Sequence, residues 1–330
     1  YQIYPRSFMD SSGSGTGDLN GIKSKVNYIK NLGVDYVWIS PFFESPQKDF
    51  GYDVSNYRRV DKLFGSNDDF KNLVELFHDN DIRVIIDLVL SHTSDEHKWF
   101  KESSKKIKNE YTDWYIWADG EKNKPPNNWL SVFGGSSWKW DQKKEQFYLH
   151  NFLESQPDLN FHNVAVQNQM LNEIQFWLDF GIDGFRFDVI NFLFHDKGLR
   201  NNPYKDASEV RPLGFNKDNP YGLQHHKYDN TQKDTLIYLE KIRKLLDKYN
   251  AISIGEIVSD NPLKTIADYT NNQRLHMAYC FEFLSDDFNF EKVDEIVNNF
   301  FDQNPHSWPC WAFSNHDAVR IASRVNKSPK

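Results

Sequence analysis

The stretch RVIIDLVL, residues 83–90, shows the pattern that decides the fold. Apart from Arg83 and Asp87 every residue in it is apolar, and most are β-branched. A run that is apolar on both faces is typical of a strand in a parallel sheet covered by helices. We expect further strands of this sheet at residues 1–4, 36–40, 184–190, 251–257, 276–283 and 309–317.

Amphipathic helical segments separate these runs. After Ser66, a suitable helix cap, apolar residues recur at helical spacing. We expect the other helices at residues 19–32, 166–178, 236–246 and 290–300, with a short one opening at Asn261-Pro262. Repeated β-α units predict either an open doubly wound sheet or a (β/α)8 TIM barrel. No glycine-rich phosphate loop follows any strand, which weakens the nucleotide-binding alternative and favours the barrel.

The alternation of strands and helices stops between about residue 91 and residue 157. This stretch is rich in Trp, Asn, Gly and Lys. Because such a length is unusual for a loop inside a compact domain, we expect a small inserted lid domain after the third strand. The predicted division is a first barrel part at 1–91, the inserted domain at 92–157 and a second barrel part at 158–330. A second polar excursion runs over 195–231.

Composition narrows the possible partners. The 330 residues carry a net charge of −8, which argues against nucleic acid and against an anionic membrane surface. No apolar run is long enough to span a membrane. The two cysteines give no disulfide framework or zinc site, and no cofactor is predicted. We expect a cytoplasmic protein, with a periplasmic or secreted one left open, and oligomeric state does not follow from the sequence.

Polar and charged residues recur where the predicted strands end. Arg186 and Asp188 are two apart on one strand and so point to the same face. A guanidinium beside Asp188 favours its ionised form, which suits a nucleophile, whereas the apolar neighbours of Glu256 favour its protonated form, which suits a general acid. Such a carboxyl pair is the equipment of glycoside hydrolysis, and Asp317 adds a third carboxylate. A salt-bridge or capping role explains each residue singly, but not the whole set.

The stretch DSSGSGTGD, residues 10–18, has oxygen-bearing side chains at alternating positions, the spacing of a calcium loop. Only Asp10 and Asp18 carry a charge, and neutral hydroxyls are poor ligands for a hard dication. We therefore predict no metal ligands here beyond a weak cation site. The loop is predicted to be a glycine-rich turn, held by Ser and Asp side-chain bonds to its own backbone.

Five motifs in this order resemble those of the α-amylase family of glycoside hydrolases, family 13. They are DLVLSH (87–92), QPDLN (156–160), GFRFD (184–188), GE (255–256) and FSNHD (313–317). The stretches YQIYPRSF (1–8) and DFGYDVSNY (49–57) resemble its α-glucosidase and oligo-1,6-glucosidase branch. The resemblance covers the whole chain.

The resemblance implies a role for each matching residue. Asp188 would be the nucleophile that forms a β-glucosyl-enzyme, Glu256 the acid/base, and Asp317 the group that holds two sugar hydroxyls in the transition state. Substrate binding would fall to Arg186, which orients Asp188, to His92 and His316, which hydrogen-bond the reacting sugar, to Tyr52, which stacks on it, and to Asp49, which holds its O4 side.

The resemblance also implies a retaining, exo-acting α-glucosidase that acts on short oligosaccharides. Val189 after the nucleophile goes with α-1,6 linkages in the oligo-1,6-glucosidase group, unless it is only a β-branched strand residue. The alternatives are a glucosyltransferase or isomerase of trehalose synthase or sucrose isomerase type, a non-catalytic transporter-associated subunit, and a nucleotide-binding protein.

Against the family pattern, the chain stops soon after its seventh predicted strand, without an eighth strand or a C-terminal β-sandwich. We therefore expect an incomplete barrel that belongs to a longer enzyme. Since such a barrel has two unpaired edges, residues 1–330 alone are expected to be poorly stable or inactive.

Overall fold

The computed structural model describes residues 1–330 except 207–208, 210–217, 272, 285–289 and 326–330, and only the backbone of Val325. Part of the polar excursion predicted at 195–231 therefore lies outside the described residues. The strands are β1 (Gln2–Ile3), β2 (Tyr36–Ile39), β3 (Phe43–Glu44), β4 (Asn56–Val60), β5 (Arg83–Val89), β6 (Trp117–Ala118), β7 (Trp138–Asp141), β8 (Gln146–Leu149), β9 (Gly184–Asp188), β10 (Ile252–Gly255), β11 (Met277–Cys280) and β12 (Trp308–Trp311).

The described residues also form ten α-helices. They are α1 (Pro5–Phe8), α2 (Leu19–Ser24), α3 (Val26–Asn31), α4 (Asn67–His78), α5 (Lys98–Ser103), α6 (Val164–Phe180), α7 (Lys233–Asp247), α8 (Pro262–Thr270), α9 (Val293–Gln303) and α10 (Ile321–Val325).

Seven strands form one parallel sheet in the order β1-β2-β5-β9-β10-β11-β12. Each strand pairs with the sheet strands before and after it in the chain, without the reversal of order that defines a doubly wound sheet. The structure therefore confirms an incomplete (β/α)8 barrel, with β1 and β12 at its edges. Trp38, Ile85 and Tyr279, on three of these strands, pack together with Ala312, which directly follows β12, while the helices pack on the larger core.

The helix boundaries follow local chemistry. α4 begins with a capping box, in which Ser66 and Asp69 each accept a hydrogen bond from the other's backbone N–H. Asn261 caps α8 and Pro262 takes its first position, as predicted. The single helix predicted at 19–32 is two helices, because Lys25 leaves helical geometry at φ −108° and ψ 8°.

All seven predicted sheet strands are shorter than expected, and two of these differences affect the site. The strand predicted at 184–190 ends at Asp188, because Val189 takes a left-handed conformation at φ 34° and ψ 51°. The strand predicted at 309–317 ends at Trp311, so the motif residues 315–317 lie in the loop beyond it. This second difference decides where Asp317 lies.

The stretch between β5 and β9 contains a three-stranded antiparallel sheet of order β6-β8-β7 with an apolar cluster of its own, centred on the buried Trp129. Isolated bridges join it to the barrel, between His92 and Asp158 and between Tyr115 and Leu159. The boundaries 92 and 157 stay a prediction. Among the described residues, no helix combines the length and the apolar character needed to cross a membrane.

Candidate active site

The centre of the site is the guanidinium of Arg186, whose side chain is only 1% exposed. Its Nη1 lies 2.8 Å from Oδ1 of Asp87 and 2.6 Å from Oδ1 of Asp188, and its Nη2 lies 2.7 Å from Oε2 of Glu256. Sheet register explains the grouping, since Asp87 on β5 pairs directly with Arg186 on β9 and Glu256 follows the last residue of β10. One buried cation therefore holds three carboxyl groups from three adjacent strands.

Burial dominates the protonation of these carboxyls. It raises the pKa of Asp87 to about 6, that of Asp188 to about 7 and that of Glu256 to about 8, although Arg186 lowers all three. The sequence predicted that the guanidinium keeps Asp188 ionised, but the cost of removing this carboxylate from water outweighs that attraction. The negative charge of Asp188 raises the pKa of Glu256 further, which favours a protonated Glu256 as the sequence predicted.

The residues after β9 and β10 are interlocked. The backbone N–H of Val189 donates to Oε2 of Glu256 over 3.2 Å, and that of Ile190 donates to the Glu256 carbonyl over 3.0 Å. A left-handed conformation is rare for a β-branched residue and costs on the order of 1–3 kcal/mol. The local strain at Val189 thus accompanies a contact that fixes the Glu256 carboxyl beside Asp188.

Asp49 and His92 meet through Gln156. The Gln156 side-chain amide donates to Oδ2 of Asp49 over 2.7 Å, and its Nε2 lies 3.2 Å from Nε2 of His92. Burial lowers the pKa of His92 to about 3, so its ring is neutral, and raises the pKa of Asp49. The buried Asp53 accepts the backbone N–H groups of Lys48 and Asp49, which fixes the loop that carries Asp49.

His316 is enclosed by aromatic rings. Tyr52 stacks on it at 5.4 Å between ring centroids and Tyr4 at 5.7 Å. The Gln2 amide nitrogen lies 2.9 Å from its Nδ1, and the Tyr52 hydroxyl, which donates to Asp87, lies 2.8 Å from its Nε2. These partners require Nδ1 to accept and Nε2–H to donate. Burial lowers the pKa of His316, in agreement with this neutral ring.

Asp317 differs from the other predicted site residues. Its side chain is 63% exposed, and its Oδ2 lies 3.4 Å from Nε2 of His316. Burial is the main cause of the raised pKa of Glu256 and of Asp49, and the negative charge of Asp317 contributes to both. The structure therefore places Asp317 at the rim of the same space. Of the seven remaining predicted residues, four are buried, namely His92, Arg186, Asp188 and Glu256, and three are half-buried, namely Asp49, Tyr52 and His316.

Sequence reasoning assigned no role to three residues that organise this site. Asp87 bonds both Arg186 and Tyr52, Gln156 joins Asp49 to His92, and the indole N–H of Trp38 donates to Asp87 over 3.2 Å. The available signal for Asp87 was a lone carboxyl in an otherwise apolar strand. Gln156 stood out only as part of the motif QPDLN and Trp38 only as part of an apolar run, so neither gave a comparable signal.

The loop at 10–18 folds around its own two aspartates. Asp10 accepts backbone N–H groups of Ser12, Gly13 and Gly15, which lower its pKa to about 2, while Asp18 caps α2 through the N–H of Gly21. This confirms the predicted glycine-rich turn. The absence of a metal there stays a prediction. Over the described part of the chain, no group of three or more His, Cys, Asp or Glu side chains is arranged to hold a metal ion.

Comparison with known families identifies the family of this chain. A family model described as "Alpha amylase, catalytic domain" matches residues 2–330. The chain belongs to the alpha-amylase family. The five motifs and the incomplete barrel are therefore those of an alpha-amylase-type catalytic domain.

The chain is also similar to individual proteins named as glucosidases or as a glucosyl transfer enzyme. The chain is 50% identical over 329 residues to a "Probable alpha-glucosidase" of Rhizobium meliloti, with 98% of this chain and 60% of the relative covered. It is 42% identical to an oligo-1,6-glucosidase of Parageobacillus thermoglucosidasius, with 100% and 59% covered. The solved structure of an alpha-glucosyl transfer enzyme, XgtA, matches with a TM-score of 0.95 and 54% identity, over 98% of this chain and 61% of that one. The chain thus spans about three fifths of the length of these relatives.

Proposed function

We propose that the protein carrying this chain is a retaining, exo-acting α-glucosidase that removes terminal α-linked glucose from short oligosaccharides. Asp188 attacks the anomeric carbon while Glu256 protonates the departing oxygen, which gives a β-glucosyl-enzyme. Glu256 then takes a proton from the water that displaces Asp188. Each displacement inverts the anomeric carbon, so the α configuration is retained.

The observation that carries this proposal is the shared guanidinium. Asp188 and Glu256 lie 2.6 and 2.7 Å from the two terminal nitrogens of Arg186, which keeps the carboxyls close, as a retaining mechanism requires. Burial raises the pKa of both Glu256 and Asp188, and the negative charge of an ionised Asp188 raises that of Glu256 further. Ionisation of the nucleophile therefore favours a protonated acid beside it.

Exo action is supported by the Asp49 side of the site. Its carboxyl is fixed by Gln156 beside the neutral His92, so both side chains present polar atoms at one end of the sugar site. In the proposed complex they hold the terminal glucose on its O4 side. Asp317, His316 and Tyr52 border the same space, and Asp317 is proposed to hold the neighbouring hydroxyls.

The test is the variant Asp188→Asn in the full-length protein that contains this chain. Release of glucose from maltose, isomaltose and an aryl α-glucoside should fall at least about 10⁴-fold, since loss of a nucleophile is among the most severe losses known. Asp10→Asn makes the same chemical change in an exposed turn and should leave activity unchanged. Unaltered activity of Asp188→Asn would overturn the mechanism.

A preference for α-1,6 linkages is the finer part of the proposal. It is supported by Val189, which sits beside Glu256 in a left-handed conformation, and by the likeness to an oligo-1,6-glucosidase. Isomaltose should be turned over faster than maltose. Equal or better turnover of maltose would contradict this preference but not the glucosidase proposal.

Glucosyl transfer is a second candidate, favoured by the 54% identity with an alpha-glucosyl transfer enzyme. The same glucosyl-enzyme would form, and only the acceptor would differ between water and a second sugar or alcohol. Product analysis with sucrose, maltose and isomaltose separates the two. Free glucose as the main product supports hydrolysis, whereas new disaccharides at high substrate concentration support transfer or isomerisation.

A further inference from the structure

The imidazole of His226 lies between two groups that only accept hydrogen bonds. Its Nδ1 is 2.6 Å from Oδ2 of Asp229, and its Nε2 is 2.9 Å from the carbonyl oxygen of Tyr221. A neutral imidazole has one N–H and can satisfy only one of these acceptors. With Asp229 ionised, both contacts together require the doubly protonated, positively charged ring.

The surroundings of the ring favour that charge. His226 stacks on the ring of Tyr221 at 3.6 Å between centroids, an arrangement in which a cation is attracted to the aromatic face. Asp229 is 0% exposed, and its Oδ1 has no hydrogen-bond partner among the described residues. Removing the positive charge would leave this carboxylate buried without compensation, which is strongly unfavourable.

The other charged groups near His226 come from three segments. Asp260, after β10, accepts the His226 backbone N–H over 3.2 Å and pairs with Lys205 at 2.6 Å. His225 lies 3.2 Å from Glu209 and 3.9 Å from Asp260. Burial alone would lower the pKa of His226, but the bond to Asp229 and the charges of Asp229 and Asp260 raise it above its usual value.

The His226 pair is connected to the proposed catalytic site through Tyr221. This ring belongs to a buried apolar cluster with Phe152, Val189 and Phe192, and the Val189 N–H donates to the carboxyl of Glu256. An acid that protonates the departing oxygen must face the leaving group. The cluster therefore adjoins the side of the site where the group attached to the reacting glucose lies.

A second path leads from the same segment to both catalytic loops. The Thr231 N–H donates to the Asn191 carbonyl over 2.7 Å, and the Asn191 side-chain amide donates to the Val258 carbonyl over 2.7 Å. Asn191 follows Asp188 by three residues, and Val258 follows Glu256 by two. Residues 221–231 thus contact the loops after both β9 and β10.

We propose that His226 is a positioning residue, held as an imidazolium between Asp229 and the Tyr221 carbonyl, that fixes the buried Tyr221 in the apolar cluster behind Val189 and Glu256. This role rests on the proposed glucosidase function. The charge is present below the folded-state pKa of His226. Its stabilising effect is complete below about pH 6.5, the ordinary histidine value, and is lost as the pH rises through the higher folded-state pKa.

The protonation state is tested by NMR on the full-length protein with ¹⁵N-labelled histidine. At pH 7.5 one histidine should show two ring N–H groups, and His226→Gln should remove that signal while His225→Gln should not. His225 is the matched control, because it is adjacent in sequence and lies in the same charged group. A neutral His226 ring at pH 7.5 would overturn the proposal whether or not the protein is a glucosidase.

The positioning role is tested by the pH dependence of KM and kcat for maltose and isomaltose. KM should rise about tenfold through the pKa of His226, the effect of losing one hydrogen bond to a charged group, while the pH dependence of kcat, which follows Asp188 and Glu256, should be the same in the wild type and in His226→Gln. His226→Gln should have a raised KM without this inflection, and Asp229→Asn should move the inflection to lower pH. A KM inflection that persists unchanged in His226→Gln would refute the role. Absent glucosidase activity would refute the proposed function instead, and the NMR result would still decide the charge.

Discussion

Two aspartates show how differently this chain treats the same side chain. Asp188 is buried beside Arg186, and its pKa is raised to about 7 by burial. Asp10 lies in an exposed turn, and its pKa is lowered to about 2 by backbone N–H groups, of which that of Gly15 has the largest effect. Both residues stand in patterns typical of functional sites. Their surroundings, not their spacing, decide that one is suited to proton and bond chemistry and the other to shaping a turn.

The largest expected effect concerns the buried cluster. Glu256→Gln removes the proposed acid, so turnover of maltose should fall by roughly 10²–10⁴-fold. An aryl α-glucoside with an acidic phenol needs little protonation of its leaving group, so glycosylation of the enzyme should suffer far less. The measurement is single-turnover glycosylation on both substrates, with Glu121→Gln, an exposed glutamate, as control. Equal losses on both substrates would contradict the acid role.

The next effect is on stability. Arg186→Met leaves three buried carboxyls without their cation, which should cost roughly 3–5 kcal/mol of unfolding free energy at neutral pH. The loss should shrink at pH 5, because the carboxyls are then protonated. Urea unfolding at pH 5 and 8 measures both values. The control Arg200→Met breaks an exposed pair with Asp196 and should change stability little at either pH. A similar loss of stability in both variants would contradict the claim that Arg186 compensates the buried carboxyls.

The pH dependence of stability should have opposite signs in the two regions. The pKa of Glu256 is raised to about 8 by burial, so between its ordinary value and pH 8 the folded state binds more protons than the unfolded state. Unfolding free energy contributed by Glu256 should therefore fall as the pH rises through this range. Asp10 has a lowered pKa, so its contribution is lost only as the pH falls towards about 2.

Urea unfolding from pH 4.5 to 8.5 measures that slope. Glu256→Gln should reduce it, whereas Asp10→Asn should leave it unchanged. A slope that is unchanged in Glu256→Gln but reduced in Asp10→Asn would show that the carboxyl of Glu256 is ionised in the folded protein throughout this range.

The smallest effect is expected in the loop. Asp18→Ala removes the cap of α2 and should cost about 1 kcal/mol, as for other helix caps. Calcium should give little heat of binding in calorimetry, with the wild type and with the variant alike. Tight calcium binding that is lost in Asp18→Ala would show that the loop is a metal site after all.

Much of the fold follows from local patterns. Apolar runs such as 83–90 predict the strands, and parallel strands bring their C-terminal ends together, which is why Arg186, Asp188 and Glu256 could be grouped from the sequence. The end of β9 could not be predicted, because Val189 has a high strand propensity and its left-handed conformation accompanies a contact with Glu256, 67 residues away.

The remaining differences depend on contacts distant in sequence. Gln156 gains its role only when the loop that carries Asp49 folds around Asp53. Asp317 is exposed because β12 ends at Trp311. The sequence does not indicate this end, because the apolar run continues to Phe313. The net pKa of Asp188 depends on the balance between burial and Arg186, which spacing alone does not give.

The position of His316 between Tyr4 and Tyr52 has a consequence for the order of folding. Its bond to Gln2 joins residues 314 positions apart. During synthesis both tyrosines leave the ribosome long before His316 exists, so a nascent chain lacks this wall of the site until nearly all of the present sequence has been made. The site is therefore completed only after residue 316 has been made, and a shorter nascent chain lacks the ring that links β1 to the loop after β12.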